Sequence, residues 1–441
     1  MRTRGSLLAR IAAGTAVLCA VSVLTPASAS PGRPGESASI TARQAPTTPV
    51  HHLVVMTQDG HSFDNYLGTR AGVDGLPSGI CRPVSHGSAT PCFRPHPISG
   101  SPHATLLATA GTQSTSDGRT AMGYYRPGTL PVLNGVVDHG VVFDHWFAAV
   151  PGGGVANRLF AVAARAPGDV AEVPGRGWAG ITMIFDRLQA AGVSWRIYVE
   201  NYRPSLTLAT ARGSQRRGGQ LALVPLLASS GFRTDPSLSA HVVDLSRYYS
   251  DLARGRLPSV SFVVSTTHTE QPPHDPAVDQ RLVRSVVNAL LASSAWRSSA
   301  FFLTYDTPGG WYDHAPPSQL DGARTGLRVP TVLLSPYAQP GTVDHTAYDS
   351  AAILGLIEHN WNLPPLTSGD RTAASLLPAF SFSAPPRSPA LIDVPATRPP
   401  VHQPNTLVLY AGYLLALLIG LGFVAWVIQA ERPRRTEGAR P

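Results

Sequence analysis

Two apolar runs of this chain are each followed by an aspartate, a side chain that can bind a cation or carry a proton. Asp59 follows the run over 52–57, and Asp306 follows the run over 300–305. The carboxyl ends of parallel strands meet at one edge of a sheet, so these two carboxylates are expected to converge. Two anions in a low dielectric need a cation between them, which predicts a metal site at Asp59 and Asp306. Taken alone, Asp59 before Gly60 is more commonly a turn residue.

A glycine-rich stretch indicates a second kind of chemistry, the binding of an anion. Gly152, Gly153 and Gly154 precede Asn157 and Arg158 at the predicted start of a helix. Such a turn presents backbone N–H groups, which attract an anion such as phosphate, and an arginine adds a charged fork. These five residues are therefore predicted to bind phosphate, although a plain flexible turn explains three glycines equally well.

The elements that must position these residues follow from the apolar pattern of the chain. Strands are predicted at 52–57, 141–147, 194–199, 260–264, 300–305 and 331–335, and helices at 157–165, 181–191, 276–293 and 347–360. This alternation indicates an α/β fold with a mostly parallel sheet and helices on both faces. The stretch 68–129 has few such patterns and is predicted to be an insertion of loops over the sheet.

The composition is that of a globular chain without a nucleic-acid partner. The 441 residues are 43% hydrophobic and 14% charged, which excludes a disordered protein. The net charge is +8, and arginine supplies all of the Lys+Arg total. No basic stripe with interleaved aromatic residues is present, so the charge does not indicate nucleic-acid binding.

Residues 1–29 have the layout of a signal peptide. Arginines lie near the start, an apolar run covers 11–24, and small residues at 27–29 form a cleavage site. A membrane anchor is the alternative, but the apolar run is short for one. The stretch 30–49 is rich in Pro, Ser, Thr and Gly and is predicted to be a flexible lead.

Cleavage of the signal peptide would remove Cys19 and leave two cysteines, Cys81 and Cys92. An even pair in an oxidising compartment predicts a disulfide between them. Two free thiols are the alternative.

The C-terminal region has a pattern typical of a membrane span. Residues 406–428 are apolar or small, with aromatic residues near both ends and arginines directly after them. The pattern predicts a single-pass protein of the cell membrane whose main domain is extracytoplasmic. A Pro-rich spacer over 384–405 would hold that domain off the membrane, and a basic tail over 429–441 would be cytoplasmic. A buried core helix is the alternative for the span.

Six ordered motifs relate the chain to a known family. They are HLVVMTQDGHSFDNYLG, GGGVANRLF, TMIFDRLQAAGVSWRIYVENY, LLASSAWRSSAFFLTYDTPGGWYDHAPPS, GLRVPTVLLSPYA and VDHTAYDSAAILGLIEHNWNLPPL. Their order and spacing, from about Val50 to Phe382, resemble the bacterial phosphoesterase family of phospholipases C and acid phosphatases. The resemblance implies a phosphoesterase-like domain over 50–383 with an alkaline-phosphatase-like fold. It also implies metal-assisted hydrolysis of phosphate esters, in which a Ser or Thr attacks phosphorus.

Several site positions differ from the family pattern. The family's Glu-Asn pair corresponds to Asp59 and Gly60, and its later acidic pair corresponds to Asp306 and Thr307. The family's nucleophilic Ser or Thr corresponds to Gly154, which has no hydroxyl. The resemblance therefore implies a weakened site for a divalent metal, of unknown identity, and the loss of the nucleophile.

Other positions keep the pattern. Asp313, His314 and His345 match the family motifs, and the resemblance implies catalytic roles for them. One further position departs from the pattern, since the family's histidine before a Pro-Pro pair corresponds to Gln271, although His268 and His274 are close by.

Three functions are compatible with these residues. The altered positions favour a protein that binds phosphate esters or phospholipid headgroups with weak or no hydrolysis. The alternative is an active metal-dependent phosphoesterase, in which Thr307, Ser62 or a metal-bound water attacks. A third hypothesis is a module that uses the fold only to bind a partner.

Overall fold

The computed structural model describes residues 44–81, 92–99, 118–168, 170–271, 274–393 and 416–423, with the single positions 414 and 426. The predicted signal peptide over 1–29 and the predicted tail over 429–441 lie outside these residues. One continuous set of buried apolar side chains extends from Val50 to Ile392. This core positions the residues that the sequence analysis singled out.

The described residues form a central sheet and two small ones. The strands are β1 (His52–Gln58), β2 (His96–Ile98), β3 (Gly123–Tyr125), β4 (Val141–Phe143), β5 (Trp195–Val199), β6 (Val242–Asp244), β7 (Val260–Val264), β8 (Ser299–Tyr305), β9 (Gln319–Leu320), β10 (Ala323–Arg324), β11 (Thr331–Leu334) and β12 (Thr342–Asp344). The central sheet has the order β12-β4-β11-β8-β1-β7-β5-β6. Strand β11 is antiparallel to both of its neighbours, and the other pairs in this sheet are parallel. The predicted α/β fold with a mostly parallel sheet is confirmed.

Both faces of the central strands are covered. Every residue of β7 and β8 is buried, and successive side chains of a strand point to opposite faces. The helices are α1 (Phe63–Leu67), α2 (Gly118–Ala121), α3 (Pro131–His139), α4 (Gly154–Ala163), α5 (Ile184–Ala190), α6 (Gly213–Arg217), α7 (Gln220–Leu223), α8 (Ser230–Thr234), α9 (Ser246–Ala253), α10 (Pro276–Leu291), α11 (Ser350–Asn360) and α12 (Ser368–Thr372). Helix α4 packs with α5, α7 and α11, while α10 packs with α3 and α9.

The predicted membrane span over 406–428 and the location that depended on it are wrong. Nowhere in the described parts of the chain does a helix combine the length and the apolar character needed to cross a membrane. Of that stretch, the structure describes residues 414, 416–423 and 426. The prediction of a single-pass membrane protein with an extracytoplasmic main domain is corrected accordingly.

Two further predictions concern the cysteine pair and the Pro-rich spacer. Cys81 and Cys92 form the predicted disulfide. Part of the predicted spacer, 384–393, packs on the body, where Ile392 is 2% exposed. The backbone N–H and C=O of Ile392 pair with the side-chain amide of Asn288, at 2.8 and 3.1 Å. This part of the spacer is therefore held against the domain.

Candidate functional site

The ends of β1 and β8 bring two aspartates side by side. The two strands are adjacent and parallel, with Gln58 opposite Tyr305. Asp59 and Asp306 come next in the two segments, and the N–H of Asp306 donates to the carbonyl of Gln58 at 3.1 Å. The two carboxylates therefore lie at one edge of the sheet, as the strand pattern predicts.

The segments after these strands touch through two glycines. Gly309 has a φ of +62°, and a Cβ on it would lie 2.0 Å from the carbonyl oxygen of Gly60. A residue with a side chain fits neither this backbone conformation nor this distance. Glycine at position 309 therefore lets the two segments run side by side beyond the strand ends.

The cation between the two carboxylates is the guanidinium of Arg158. Its Nε donates to Oδ2 of Asp306 at 3.0 Å, and its Nη2 donates to Oδ1 of Asp59. Nη1 and Nη2 also donate to the carbonyls of Thr57 and Gln58, at 3.1 and 3.3 Å. The side chain of Arg158 is 4% exposed, so the ion pairs are buried. We call Asp59, Arg158 and Asp306 the strand-end triad.

The predicted phosphate-binding residues Arg158 and Asn157 make other contacts in the structure, and their roles in phosphate binding stay predictions. The fork of Arg158 points at the strand ends. The amide of Asn157 holds the preceding loop, accepting from the N–H of Val150 at 3.0 Å and donating to the carbonyl of Gly152 at 3.2 Å. The physical reason is the start of helix α4, which begins at Gly154 and not at 157. Arg158 therefore lies in the second turn, on the buried face, and not in the first turn beside a ligand.

Three glycines of the predicted phosphate site remain at the helix start. Gly153 is the N-cap of α4 in an extended conformation, Gly154 is its first residue, and both are half-buried with Gly152. The first N–H groups of a helix have no partner within it. The geometry of this glycine loop, Gly152–Gly154, therefore still suits an anion.

The position predicted for the nucleophile faces a carboxylate. A Cβ on Gly154 would lie 2.7 Å from Oδ2 of Asp306, closer than a real Cβ approaches an oxygen. Any side chain at this position would therefore have to displace the carboxylate from Arg158. Burial and then the charge of Asp59 raise the pKa of Asp306 well above its ordinary value, against the opposing effect of Arg158. Position 154 thus has no hydroxyl, and a side chain there would require the Asp306 carboxylate to shift.

A second buried arginine organises the neighbouring segments. Arg328 is fully buried, and its Nε donates to Oδ1 of Asp313 at 2.8 Å while its Nη2 donates to Oδ1 of Asp64 at 3.0 Å. Its Nη1 donates to the carbonyls of Asp74 and Asp144, at 2.7 and 2.9 Å. Burial and then Asp64 raise the pKa of Asp313 to about 6. We call Asp64, Arg328 and Asp313 the Arg328 triad.

The described residues contain a candidate metal group in this second region. Ligand atoms of Asp64, Asp313 and His314 lie within 4.8 Å of one another. Each carboxylate oxygen, however, already accepts a hydrogen bond from the protein. Arg328 donates to one oxygen of each aspartate, and the N–H groups of His314 and Asp64 donate to the other oxygens at 2.6 and 3.1 Å. Each oxygen of the two aspartates thus serves a donor of the chain. The three residues remain a candidate metal group, and no metal is assigned to it.

The histidines predicted to be catalytic lie in the same region. Nδ1 of His314 pairs with Oδ2 of Asp64 at 2.8 Å, and this bond raises the pKa of His314 against the effect of burial. Nδ1 of His345 pairs with Oδ2 of Asp144 at 2.8 Å, and the His345 side chain is 63% exposed. Asp313, His314 and His345 thus make their contacts in the region around Arg328. Their catalytic roles stay predictions.

A further buried carboxylate, that of Glu270, supports the strand ends. It is fully buried and has a φ of +66°, in the left-handed region that non-glycine residues rarely adopt. Burial raises its pKa to about 7. It accepts hydrogen bonds of 2.7 to 3.1 Å from the side chains of Tyr66, Tyr305, Gln58 and Gln280. The described side-chain partners of Glu270 are therefore two tyrosines and two glutamines, and none of them is an arginine.

The segment 269–271 forms one wall of the site. The N–H of Asp59 donates to the carbonyl of Thr269 at 2.9 Å. A Cβ on Gly60 would lie 3.2 Å from Cγ of Gln271, so Gln271 stands directly beside the end of β1. The hydrogen bonds of Glu270 thus hold Gln271 in place.

Sequence reasoning missed Arg328, Asp74, Asp144 and Glu270 as members of these networks. For Arg328 a pattern was available, since it stands between Leu327 and Val329 just before a buried strand. A charged side chain in such a run must find buried partners. No comparable pattern marks the other three residues.

Comparisons with known proteins relate this chain to several others. A family model described as the Phosphoesterase family matches residues 96–364. Non-specific phospholipase C6 of Arabidopsis thaliana is 27% identical over 419 residues, which cover 80% of this chain and 76% of that protein. Non-hemolytic phospholipase C of Burkholderia pseudomallei is 26% identical and covers 89% and 67% of the two chains. A solved structure of a protein in the alkaline phosphatase superfamily from Vibrio parahaemolyticus aligns with a TM-score of 0.39 and 11% identity, covering 74% and 70%.

Proposed function

This chain belongs to the phosphoesterase family, and on that premise we propose that it binds phosphate esters with weak or no hydrolysis. The observation that carries the proposal is Gly154. It stands at the family's nucleophile position without a hydroxyl, and a Cβ there would meet Asp306 at 2.7 Å. Loss of a nucleophile in a hydrolase costs on the order of a million-fold in rate.

The two hydroxyls that could replace the nucleophile are engaged elsewhere. Oγ1 of Thr307 donates to Oδ1 of Asp306 at 3.2 Å. Oγ of Ser62 donates to the carbonyl of Tyr312 at 2.6 Å and caps the start of helix α1. Both contacts are structural, which supports binding over turnover.

The glycine loop supplies the anion-binding half of the proposal. The start of helix α4 carries about half a positive charge, and the backbone N–H groups of its first turn suit phosphate oxygens. Arg158 pairs with the Asp306 carboxylate at 3.0 Å, which lessens the repulsion that this carboxylate exerts on an approaching anion. Because no charged side chain is added, we expect a phosphate affinity on the order of 1 mM, about 4 kcal/mol of binding free energy.

The ligand class follows from the family. Relatives of this chain are named non-specific and non-hemolytic phospholipase C. A phosphate ester such as a phospholipid headgroup is therefore the proposed ligand. The alternative is an active metal-dependent phosphoesterase with a substituted site.

Binding is tested by thermal unfolding of the full chain with increasing inorganic phosphate or phosphocholine. A ligand at a hundred times its Kd stabilises the native state by about 2.7 kcal/mol, so the melting temperature should rise with concentration. An unchanged melting temperature would contradict the proposal.

Two variants at one position show whether the glycine loop is the site. A Cβ on Gly153 meets no atom within 4 Å, and its conformation suits an N-cap, so Gly153→Asp and Gly153→Asn should both fold well. The aspartate adds an anion, and we expect it to weaken phosphate binding roughly tenfold relative to the asparagine, its neutral match. Equal phosphate affinities for the two variants would place the anion elsewhere.

Hydrolysis is tested separately with p-nitrophenyl phosphate and p-nitrophenylphosphorylcholine in the presence of Mn²⁺, Zn²⁺, Mg²⁺ or Ca²⁺. We expect no turnover above the background rate. Turnover that Asp306→Ala abolishes would instead establish the active phosphoesterase.

A further inference from the structure

We infer that the guanidinium of Arg158 takes the place of a divalent metal between Asp59 and Asp306. The family resemblance implies a metal at this edge of the sheet. The chain instead places there a cation of its own, bound to both carboxylates. The inference concerns the cation alone and does not depend on phosphate binding.

The residues at the strand ends do not fit a divalent metal. Such ions take four or more ligands, commonly six for Mg²⁺ and six to eight for Ca²⁺. Arg158 already holds Oδ1 of Asp59, and Asp306 has Arg158 on Oδ2 and the Thr307 hydroxyl on Oδ1. Gly60 and Gly154, which stand at the family's other ligand and nucleophile positions, have no side-chain oxygen. While Arg158 is in place, the oxygens left for a divalent metal are therefore too few.

The guanidinium is also hard to displace. It makes two further hydrogen bonds to the carbonyls of Thr57 and Gln58 at the end of β1. A metal entering between the carboxylates would leave this buried charge without its partners, and an unpaired buried charge is strongly destabilising. The strand ends thus hold Arg158 from four sides, through two carboxylates and two backbone carbonyls.

The position of Arg158 on the helix explains how it reaches this place. Helix α4 starts at Gly154, so Arg158 lies one turn further along, on the same side as Gly154. Both residues approach Asp306, Gly154 through its backbone and Arg158 through Nε. The absence of a side chain at position 154 leaves the Asp306 carboxylate free to pair with Arg158.

The test uses Mn²⁺ as the probe, because carboxylate oxygens suit it and its electron spin resonance reports binding directly. Full-length protein is freed of metal with EDTA, and bound Mn²⁺ is counted with and without the substitution Asp306→Asn. We expect no Mn²⁺ that depends on Asp306, and the same melting temperature in EDTA and in Mn²⁺. One Mn²⁺ per chain that Asp306→Asn removes would overturn the inference.

Arg158→Gln tests the converse. Without the guanidinium the two carboxylates need another cation, so the variant should be less stable in EDTA and should gain several degrees of melting temperature in Mn²⁺. That gain should disappear in the double variant Arg158→Gln/Asp306→Asn. A folded variant without any gain in Mn²⁺ would overturn the inference. A variant that does not fold leaves the decision to the Mn²⁺ count on the unsubstituted chain.

Arg328→Gln is the matched control. It removes an arginine from a second pair of buried aspartates, whose oxygens keep backbone donors from His314, Asp64 and Ala315. It should gain no stability in Mn²⁺. A gain in Arg158→Gln that persists in the double variant Arg158→Gln/Asp306→Asn would mean that the ion binds elsewhere and would overturn the inference.

Discussion

Two buried arginines each bridge two aspartates, yet their surroundings differ. In the strand-end triad, Arg158 holds Asp59 and Asp306 at the tips of two strands, beside the glycine loop. In the Arg328 triad, the arginine holds Asp64 and Asp313 and reaches two further backbone carbonyls. The chain joins the two triads directly, since Asp59 and Asp64 share one segment and Asp306 and Asp313 another.

The difference lies in how completely the carboxylates are satisfied without the arginine. The aspartates of the Arg328 triad also accept backbone N–H groups, and their side chains are at most 1% exposed. The strand-end aspartates accept fewer donors and are slightly more exposed, 9% and 5%. The same charge pattern therefore serves as a structural joint in one region and, in our proposal, as the remains of a metal site in the other.

The largest expected effect is on stability in Arg328→Gln. Removing one partner from a buried ion network leaves unpaired charges and costs about 3–5 kcal/mol of unfolding free energy. Arg158→Gln in EDTA should cost less, because its aspartates lie closer to solvent. Urea denaturation of both variants in EDTA measures the difference. A larger loss in Arg158→Gln would reverse the comparison.

The sequence predicts one part of the strand-end triad, the convergence of its two aspartates. Strands followed by aspartates are a local pattern, and parallel order alone brings Asp59 and Asp306 to one edge. The direction of the Arg158 side chain could not be derived in the same way. The sequence pattern predicts a loop at the glycines and a helix that starts at 157. The helix starts at Gly154, which turns Arg158 toward the sheet.

The Arg328 region was harder to predict because its partners come from distant segments. Asp74 lies in a stretch without strand or helix patterns, and Asp144 follows a strand shorter than predicted. Their contacts with Arg328 are long-range, so no spacing in the sequence encodes them. Glu270 is likewise buried by Tyr66 and Tyr305, which neither periodicity nor motif links to it.

Glu270 extends the comparison to a buried carboxylate whose described side-chain partners include no arginine. Its pKa is about 7 in the native state and about 4.5 when exposed, so the native state binds a proton that the unfolded state has lost. Its contribution to stability is therefore fully present below pH 4.5 and falls by about 3 kcal/mol as the pH rises through 7. Urea denaturation of the native chain and of Glu270→Gln at pH 5 and pH 8 checks this. Equal pH dependence in both would contradict it.

A smaller loss of stability is expected from a substitution in the backbone beside the strand-end triad. Gly154→Ser puts a Cβ 2.7 Å from Asp306 and must shift its carboxylate, which we expect to cost about 1–3 kcal/mol. Gly153→Ser is the control, since its Cβ meets no atom within 4 Å and a serine suits the N-cap. Thermal unfolding should show a loss for the first variant and none for the second. Similar stabilities would mean that Asp306 moves without cost.

The smallest expected effect marks where the Arg328 network ends. His345 pairs with Asp144, but its side chain is mostly exposed, and Oδ2 of Asp144 keeps a 2.7 Å hydrogen bond from the N–H of Asp74. An exposed pair contributes at most about 1 kcal/mol, so His345→Ala should change the free energy of unfolding by no more than that. Asp144→Ala, which removes the buried partner, should cost clearly more. A loss above 2 kcal/mol in His345→Ala would mean that the buried network extends to the surface through this histidine.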